Sequence, residues 1–147
     1  GWLLENEACD KYNIKLIDFR ARSRAAPEKE MIFKAEKFFN SIKYPALIHC
    51  KSGADRAGIM CALYMLIYKK QHPDHAKKQL SWKYLHVKWA KPGVLDAFVE
   101  SYSIEYEKNK IKFMDWVKNK YNPKKLESGF RSVWWLSRFL DDVLRRE

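Results

Sequence analysis

The ten residues HCKSGADRAG, at positions 49–58, decide the fold of this chain. A short apolar run, Ala46–Ile48, precedes them, and a longer apolar run, Ile59–Tyr68, follows them. We expect the first run to be a strand that ends at Cys50, and the second to be a helix that begins close to Arg56. A passage from strand through turn to helix directs backbone N–H groups and the positive end of the helix dipole at one point. The sequence therefore predicts an anion-binding loop with a cysteine at its floor.

Cys50 and Arg56 have the chemistry that suits such a loop. A thiol at a helix N-terminus beside a cationic group has a pKa of ~3.5–7.5, against ~8.5 for a free thiol, so it is a ready nucleophile near neutral pH. The planar guanidinium of Arg56 can hold two oxygens of a phosphoryl group at once. A buried cysteine with an unrelated arginine nearby would account for Cys50 alone. It would not account for Gly53 and Gly58 or for the change from strand to helix.

These residues resemble the signature loop of the cysteine-dependent phosphatases, the superfamily of protein tyrosine and dual-specificity phosphatases and their lipid-phosphatase relatives. The family pattern is His-Cys, five residues and Arg, with glycines at two fixed positions, and it is matched at His49, Cys50, Gly53, Arg56 and Gly58. The resemblance, which is nearest to the bacterial dual-specificity-like group, implies hydrolysis of phosphate monoesters through a phosphocysteine, with no metal and no cofactor. It implies that His49 orients the loop. The residues it implies for phosphate binding are Lys51, Ser52, Gly53, Ala54, Asp55 and Arg56.

The apolar periodicity predicts an α/β fold, a parallel sheet flanked by helices as in the cysteine-phosphatase fold. Strand, helix, strand and helix in sequence imply a parallel pair joined by a crossover helix. The predicted elements are a strand over Ile14–Phe19, a helix from Pro27 to about Ser41, a strand over Ala46–Cys50, a helix over Ala57–Lys70, a helix from Pro73 to about Tyr84, and a mostly helical C-terminal third from Val94.

We expect residues 1–147 to form one phosphatase-like domain, because this length suits a single core. The first predicted strand begins at Ile14, earlier than in related catalytic domains, and Trp2–Cys9 looks like the end of a helix. The sequence thus favours an N-terminally shortened version of a longer protein. It shows neither a signal-peptide pattern nor an apolar run that could span a bilayer.

Two carboxylates compete for the role of general acid. Phosphatases of this class use an Asp on a mobile loop well before the Cys, and Asp18 precedes Cys50 by 32 residues (50 minus 18). Asp55, immediately before Arg56, is the rival, because an Asp at that place resembles the myotubularin-type phosphoinositide phosphatases. Asp55 could instead tether the loop or orient Arg56. We favour Asp18 as the acid.

Ala57 departs from the family pattern, which usually has Ser or Thr after the Arg. Because that hydroxyl helps the thiolate leave from the phospho-enzyme, its absence predicts a slow second step. The basic residues near the predicted site suit a substrate with more than one phosphate, although a solvated basic loop would read the same way. They are Lys51, Arg20, Arg22 and Arg24.

The net charge of +11 favours anionic partners without saying which. We expect a phosphotyrosine or phosphoserine/threonine protein as substrate, with a phosphoinositide or other phospholipid as the alternative and nucleic acid disfavoured. A non-catalytic phosphate-binding module is the alternative of another class. Three cysteines without framework spacing indicate a reducing compartment and so the cytoplasm. The apolar face over residues 130–144 indicates a packed helix, or a peripheral contact with an anionic membrane.

Overall fold

The computed structural model describes residues 1–131, and helices account for its regular structure. The helices are α1 (Trp2–Lys11), α2 (Lys29–Ser41), α3 (Asp55–Ile67), α4 (Pro73–Lys77), α5 (Val94–Asn109) and α6 (Phe113–Asn119). Two single 3₁₀ turns, Trp82–Tyr84 and Lys91–Gly93, lie between α4 and α5. Residues 123–131 are also helical.

Helix α3 lies at the centre of the core. Its sequence is apolar on nearly every side, and a helix of that kind is stable only when neighbours cover it. It packs against α2, α4, α5 and α6. Ile59 and Leu63 of α3 are fully buried, as are Phe39 of α2 and Phe98 of α5. Because α3 begins directly after the HCKSGA stretch, this core fixes the position of that stretch.

Aromatic side chains join α5 and α6 to the start of α2. Trp116 makes tilted ring contacts with Phe98 and Tyr102, at centroid distances of 5.7 and 5.3 Å. Tyr121 continues the set, and its hydroxyl donates a 2.8 Å hydrogen bond to the carbonyl of Pro27. Such pairs stabilise beyond the area they bury, so α5 and α6 are held against each other and against the segment that leads into α2.

The predicted parallel sheet is wrong: residues 1–131 contain no strand. The segments 14–19 and 46–50 have no regular structure, and no backbone hydrogen bond joins them. Each contacts the core on one side only, through Phe19 and Ile48. Leu47 and Ile14 are 88% and 58% exposed. Parallel strands need cover on both faces and more than two members to be stable, and the described residues supply neither.

The predicted helices are mostly confirmed, with one correction. Helices α2 and α3 occur where the apolar periodicity placed them. The helix expected from Pro73 to about Tyr84 ends at Lys77 instead. There the backbone N–H groups of Gln79 and Leu80 bond carbonyls three residues back, which tightens the chain into a turn.

The C-terminal predictions fall largely outside the described residues. The chain is mostly helical from Val94 to Arg131, and Phe130 is partly buried against the core. The rest of the apolar face predicted over residues 130–144 lies beyond residue 131. Among the described helices, none combines the length and the apolar character that crossing a bilayer requires.

Candidate active site

The Cys50 loop, which we define as residues 49–54, leads directly into the N-terminus of α3. The motif has two glycines, one in this loop and one in α3, and each is required for a different physical reason. Gly53 has φ +70°, a left-handed conformation that side chains other than glycine rarely adopt. A Cβ at Gly58 would lie 2.9 Å from the carbonyl oxygen of Gln79. Thus Gly53 permits the turn of the loop, and Gly58 permits the turn after α4 to pack directly on α3.

The sulfur of Cys50 lies at the focus of three backbone N–H groups. Burial opposes ionisation of the thiol, but hydrogen bonds from the amides of Ala57, Ser52 and Gly53 and the charge of Arg56 outweigh it. The pKa of Cys50 is therefore below that of an ordinary thiol. The helix that supplies the Ala57 amide adds its dipole in the same sense. This arrangement favours a thiolate at Cys50.

The other cysteines differ from Cys50. Burial raises the pKa of Cys61, which lies within α3 and has no compensating donor. Cys9 lies in α1, and all three cysteines are free thiols. Cys50 combines partial exposure with a lowered pKa, which is the combination that reactive cysteines show.

The Cys50 loop faces solvent on the side away from the core. Lys51, Ser52, Gly53 and Arg56 are exposed, whereas Ala54 is buried. Within residues 1–131, Arg56 forms no ion pair with a carboxylate. An anion arriving from solvent would therefore meet the arginine fork and the exposed residues of the loop.

Asp55, the first residue of α3, is bonded to a buried histidine. Its Oδ1 lies 2.8 Å from Nδ1 of His86, and Nε2 of the same ring lies 2.6 Å from Oδ2 of Asp96 in α5. The hydrogen bond with Asp96 raises the pKa of His86, burial opposes this, and the hydrogen bond with Asp55 raises it further. The net effect is a pKa above that of an ordinary histidine, so the imidazolium is favoured.

Asp18 lies on the irregular segment between α1 and α2 and is exposed. Its Oδ2 accepts a 3.0 Å hydrogen bond from the indole Nε1–H of Trp2. Arg20, Arg22 and Arg24 follow on the same segment and are exposed as well. The carboxylate is thus accessible to solvent and held by one neutral donor from α1.

His49 also contacts α1. Its Nε2 lies 2.6 Å from Oε1 of Glu5, and both side chains are partly exposed. Although none of its residues is buried, α1 therefore touches both the Cys50 loop, through Glu5, and the Asp18 segment, through Trp2. The role predicted for His49, to orient the loop, stays a prediction.

A comparison with known families agrees with this geometry. The family model described as "PTP-SAK: Swiss Army Knife protein, DSP-PTPase phosphatase domain" matches residues 1–95, which are 95 of the 147 residues. The chain belongs to the PTP-SAK family. The resemblance to dual-specificity cysteine phosphatases is thereby confirmed. No curated protein and no solved structure gives a significant match.

The PTP-SAK match covers the Cys50 loop, Asp18 and His86, and it ends one residue before Asp96. The ion pair between His86 and Asp96 therefore joins the matched part of the chain to α5, most of which lies beyond the match. Among residues 1–131, no three His, Cys, Asp or Glu side chains are grouped as a metal site would need.

Sequence reasoning missed His86 and Asp96. They are 31 and 10 positions from their respective partners, Asp55 and His86, and no motif spacing connects them. His86 stands among exposed aromatic and basic residues in the sequence SWKYLHVKWAK, which suggests a solvated loop. Only the tertiary packing of α3, α5 and the intervening turns brings the three side chains together.

Proposed function

We propose that this PTP-SAK member hydrolyses phosphate monoesters through a phosphocysteine intermediate formed on Cys50. One observation carries the proposal: three backbone N–H groups converge on the Cys50 sulfur at the N-terminus of α3, and its pKa is lowered. The membership of a phosphatase-domain family supports it. A thiolate within a ring of amide donors is both a nucleophile and the floor of an oxyanion site.

In the first step, the Cys50 thiolate attacks phosphorus, a sulfur–phosphorus bond forms, and the bond from phosphorus to the leaving oxygen breaks. The loop amides and the guanidinium of Arg56 hold the equatorial phosphoryl oxygens. Asp18 gives its proton to the leaving oxygen. In the second step, Asp18 takes a proton from water, the water oxygen attacks phosphorus, and the sulfur–phosphorus bond breaks to regenerate the thiolate and release phosphate.

Asp18 is the better candidate for the acid because Asp55 is already engaged. The contact of Asp55 with His86 supports the alternative we gave it, a tether for the loop. Asp18, in contrast, is exposed and bonded only to the neutral Trp2 indole in the described structure. A positioned acid contributes roughly 10²–10⁴-fold to such a reaction.

We propose phosphotyrosine and phosphoserine/threonine proteins as the substrates. The exposure of Lys51, Ser52 and Arg56 leaves the Cys50 loop open to a phosphorylated side chain carried by a large partner. Three free cysteines are in keeping with a reducing compartment, so we place the protein in the cytoplasm.

A second candidate, hydrolysis of a phosphoinositide or other phospholipid, is favoured by one surface. Trp82, Leu85 and Trp89 are 67%, 67% and 78% exposed on either side of the buried His86. Lys83 and Lys91 are exposed in the same stretch. Indole rings and lysines side by side are the composition that prefers an anionic membrane interface.

The deciding experiment is a substrate panel assayed by phosphate release. Phosphotyrosine peptides, phosphoserine/threonine peptides and vesicles containing a phosphoinositide are each treated with wild type, Cys50→Ser and the matched control Cys61→Ser. We expect turnover of peptides by wild type and by Cys61→Ser, and none by Cys50→Ser. Turnover of vesicles alone would replace the protein substrate with the lipid one.

The same panel tests the remaining alternative, a phosphate-binding module without catalysis. In that case wild type would release no phosphate from any substrate, yet phosphopeptide binding would be measurable and would depend on Arg56. A double variant, Trp82→Ser with Trp89→Ser, should lose vesicle binding if the lipid candidate is right. Tyr12→Ser, which removes an exposed ring in another region, is its control.

A further inference from the structure

We propose that His86 is a positioning residue for the Cys50 loop. Held between Asp96 of α5 and Asp55 of α3, it fixes the first turn of α3 and offsets the charge of Asp55, the residue before Arg56. The inference rests on the proposed function, because it concerns how the loop binds a phosphoryl group. It assigns His86 and Asp96 a part in the site, although neither contacts the Cys50 sulfur.

Both ring nitrogens of His86 are bonded to carboxylate oxygens, at 2.8 Å to Asp55 and at 2.6 Å to Asp96. A neutral imidazole has one donor and one acceptor, so it would present a lone pair to one of the two carboxylates. Only the imidazolium donates to both. The residue is 2% exposed, and these two carboxylates are the charged groups that act on the ring. The three side chains together carry a net charge of −1 instead of −2.

The position of Asp55 makes this contact matter for the site. Asp55 is followed by Arg56, the predicted phosphoryl clamp, and then by Ala57, whose N–H donates to the Cys50 sulfur. Asp96, the second carboxylate bonded to His86, is firmly anchored in the core. Asp96 lies between the fully buried Leu95 and Phe98 of α5. The contacts of His86 with Asp55 and Asp96 thus connect α5, a rigid core helix, to the first turn of α3, whose Ala57 amide donates to the Cys50 sulfur.

Charge gives the same result as geometry. The anion site must hold a thiolate and a phosphoryl group at once, and an uncompensated carboxylate beside it would disfavour both. If the imidazolium is removed, the negative charge of Asp55 is no longer offset and its carboxylate loses its donor. We therefore expect two linked effects: the thiolate of Cys50 is less populated at a given pH, and the loop binds anions less tightly. A histidine that only filled space in the core would cause neither.

The test compares His86→Gln with a matched control, His72→Gln. His72 also lies within 4 Å of two carboxylates, those of Asp74 and Glu107, but these lie on α4 and α5 and outside the loop. Two quantities are measured without turnover: the pH midpoint of iodoacetamide alkylation at Cys50 and the affinity for vanadate. For His86→Gln we expect the midpoint to move to higher pH and the vanadate affinity to fall about tenfold. For His72→Gln we expect neither change.

A second variant, Asp96→Asn, keeps the size of the side chain and removes only its charge. Because the ring loses its charged partner on α5, its hold on Asp55 and on the first turn of α3 should loosen, and both quantities should shift in the same direction as for His86→Gln. The shift should be smaller, because the net charge of the three side chains becomes no more negative than in wild type. The proposal is overturned if folded His86→Gln or Asp96→Asn loses thermal stability while the alkylation midpoint and the vanadate affinity stay at the wild-type values. If His86→Gln does not fold, Asp96→Asn decides.

The outcome is separable from that of the proposed function. If wild type hydrolyses substrates and the variants keep its thiol midpoint, the positioning role fails and the phosphatase stands. If wild type hydrolyses nothing while the variants still lower vanadate affinity, His86 positions an anion-binding loop and the catalytic proposal fails.

Discussion

The indole of Trp2 donates a 3.0 Å hydrogen bond to the carboxylate of Asp18, so the first turn of α1 holds the residue we propose as the general acid. The helix has no buried side chain, and its attachment to the rest of the molecule depends on contacts of this kind. Through Glu5 and His49 it reaches the Cys50 loop as well. One exposed helix therefore contacts both the Asp18 segment and the Cys50 loop.

Asp18→Asn should lower kcat on phosphopeptides by roughly 10²–10⁴-fold, because the leaving oxygen then departs without a proton. The loss should be much smaller on p-nitrophenyl phosphate, whose leaving group needs none. Steady-state kinetics on the two substrates measure the difference. Asp55→Asn is the comparison: if it shows the leaving-group dependence and Asp18→Asn does not, the acid has been assigned to the wrong carboxylate.

Cys50 should react with iodoacetamide faster than Cys61 at every pH. The lowered pKa of Cys50 keeps its thiolate populated below the ordinary thiol range, whereas burial raises the pKa of Cys61. Peptide mass spectrometry after timed alkylation from pH 5 to pH 9 gives both rates. A Cys50 midpoint at or above ~8.5, the value of a free thiol, would contradict the proposed site.

Ala57→Ser should speed the second half-reaction. In wild type, no hydroxyl follows Arg56 to help the thiolate leave, so we expect phosphocysteine to accumulate and rapid-quench traces to show a burst. The serine should raise the steady-state rate several-fold and reduce the burst, since a difference of about 1.4 kcal/mol in a barrier is tenfold in rate. A linear wild-type trace at stoichiometric enzyme would show that the second step is not limiting.

The stability of the fold should decline as pH rises above neutrality, because of His86. A histidine whose folded pKa is raised stabilises the fold fully below its unfolded pKa of ~6.5, and that contribution disappears as pH rises through the folded pKa. Urea unfolding followed by circular dichroism between pH 6 and pH 9 should show a falling midpoint. The pH dependence should be largely absent from His86→Gln and retained in His72→Gln.

Gly58→Ala should lower the free energy of unfolding by about 1–3 kcal/mol, because its Cβ would overlap the Gln79 carbonyl oxygen at 2.9 Å and crowd Leu80 at 3.1 Å. At an unobstructed helix position the same change would be neutral or mildly stabilising. A urea denaturation midpoint of Gly58→Ala equal to or above that of wild type would therefore refute the packing argument.

The local features were predictable from the sequence. The motif at positions 49–58 placed Cys50 before a helix, and the apolar periodicity located α2 and α3, because each depends on nearest neighbours along the chain. The absence of a sheet from residues 1–131 was not predictable in this way. Segments 14–19 and 46–50 have the composition of strands, but a strand needs hydrogen-bonded partners, and composition does not say whether those partners are present.

The pairing of His86 with Asp96 was likewise not predictable from the sequence. Nothing about His86 in its sequence context distinguishes it from the exposed residues around it, and Asp96 reads as an ordinary acidic residue in the first turn of a helix. Their partnership arises only when α5 packs across α3. The nucleophile could be found from spacing, whereas its support depends on which helices meet.

The close approach at Gly58 gives the sequence motif a second meaning. The turn that rests on this glycine continues into the segment that carries His86, and His86 in turn reaches back to Asp55, three positions before the glycine. A bulkier residue at position 58 would push the turn at Gln79 and Leu80 away from α3. The segment that follows would move with it, and His86 would move away from Asp55. Natural variation at this glycine would then change reactivity at a distance, with every side chain that touches the phosphoryl group left intact.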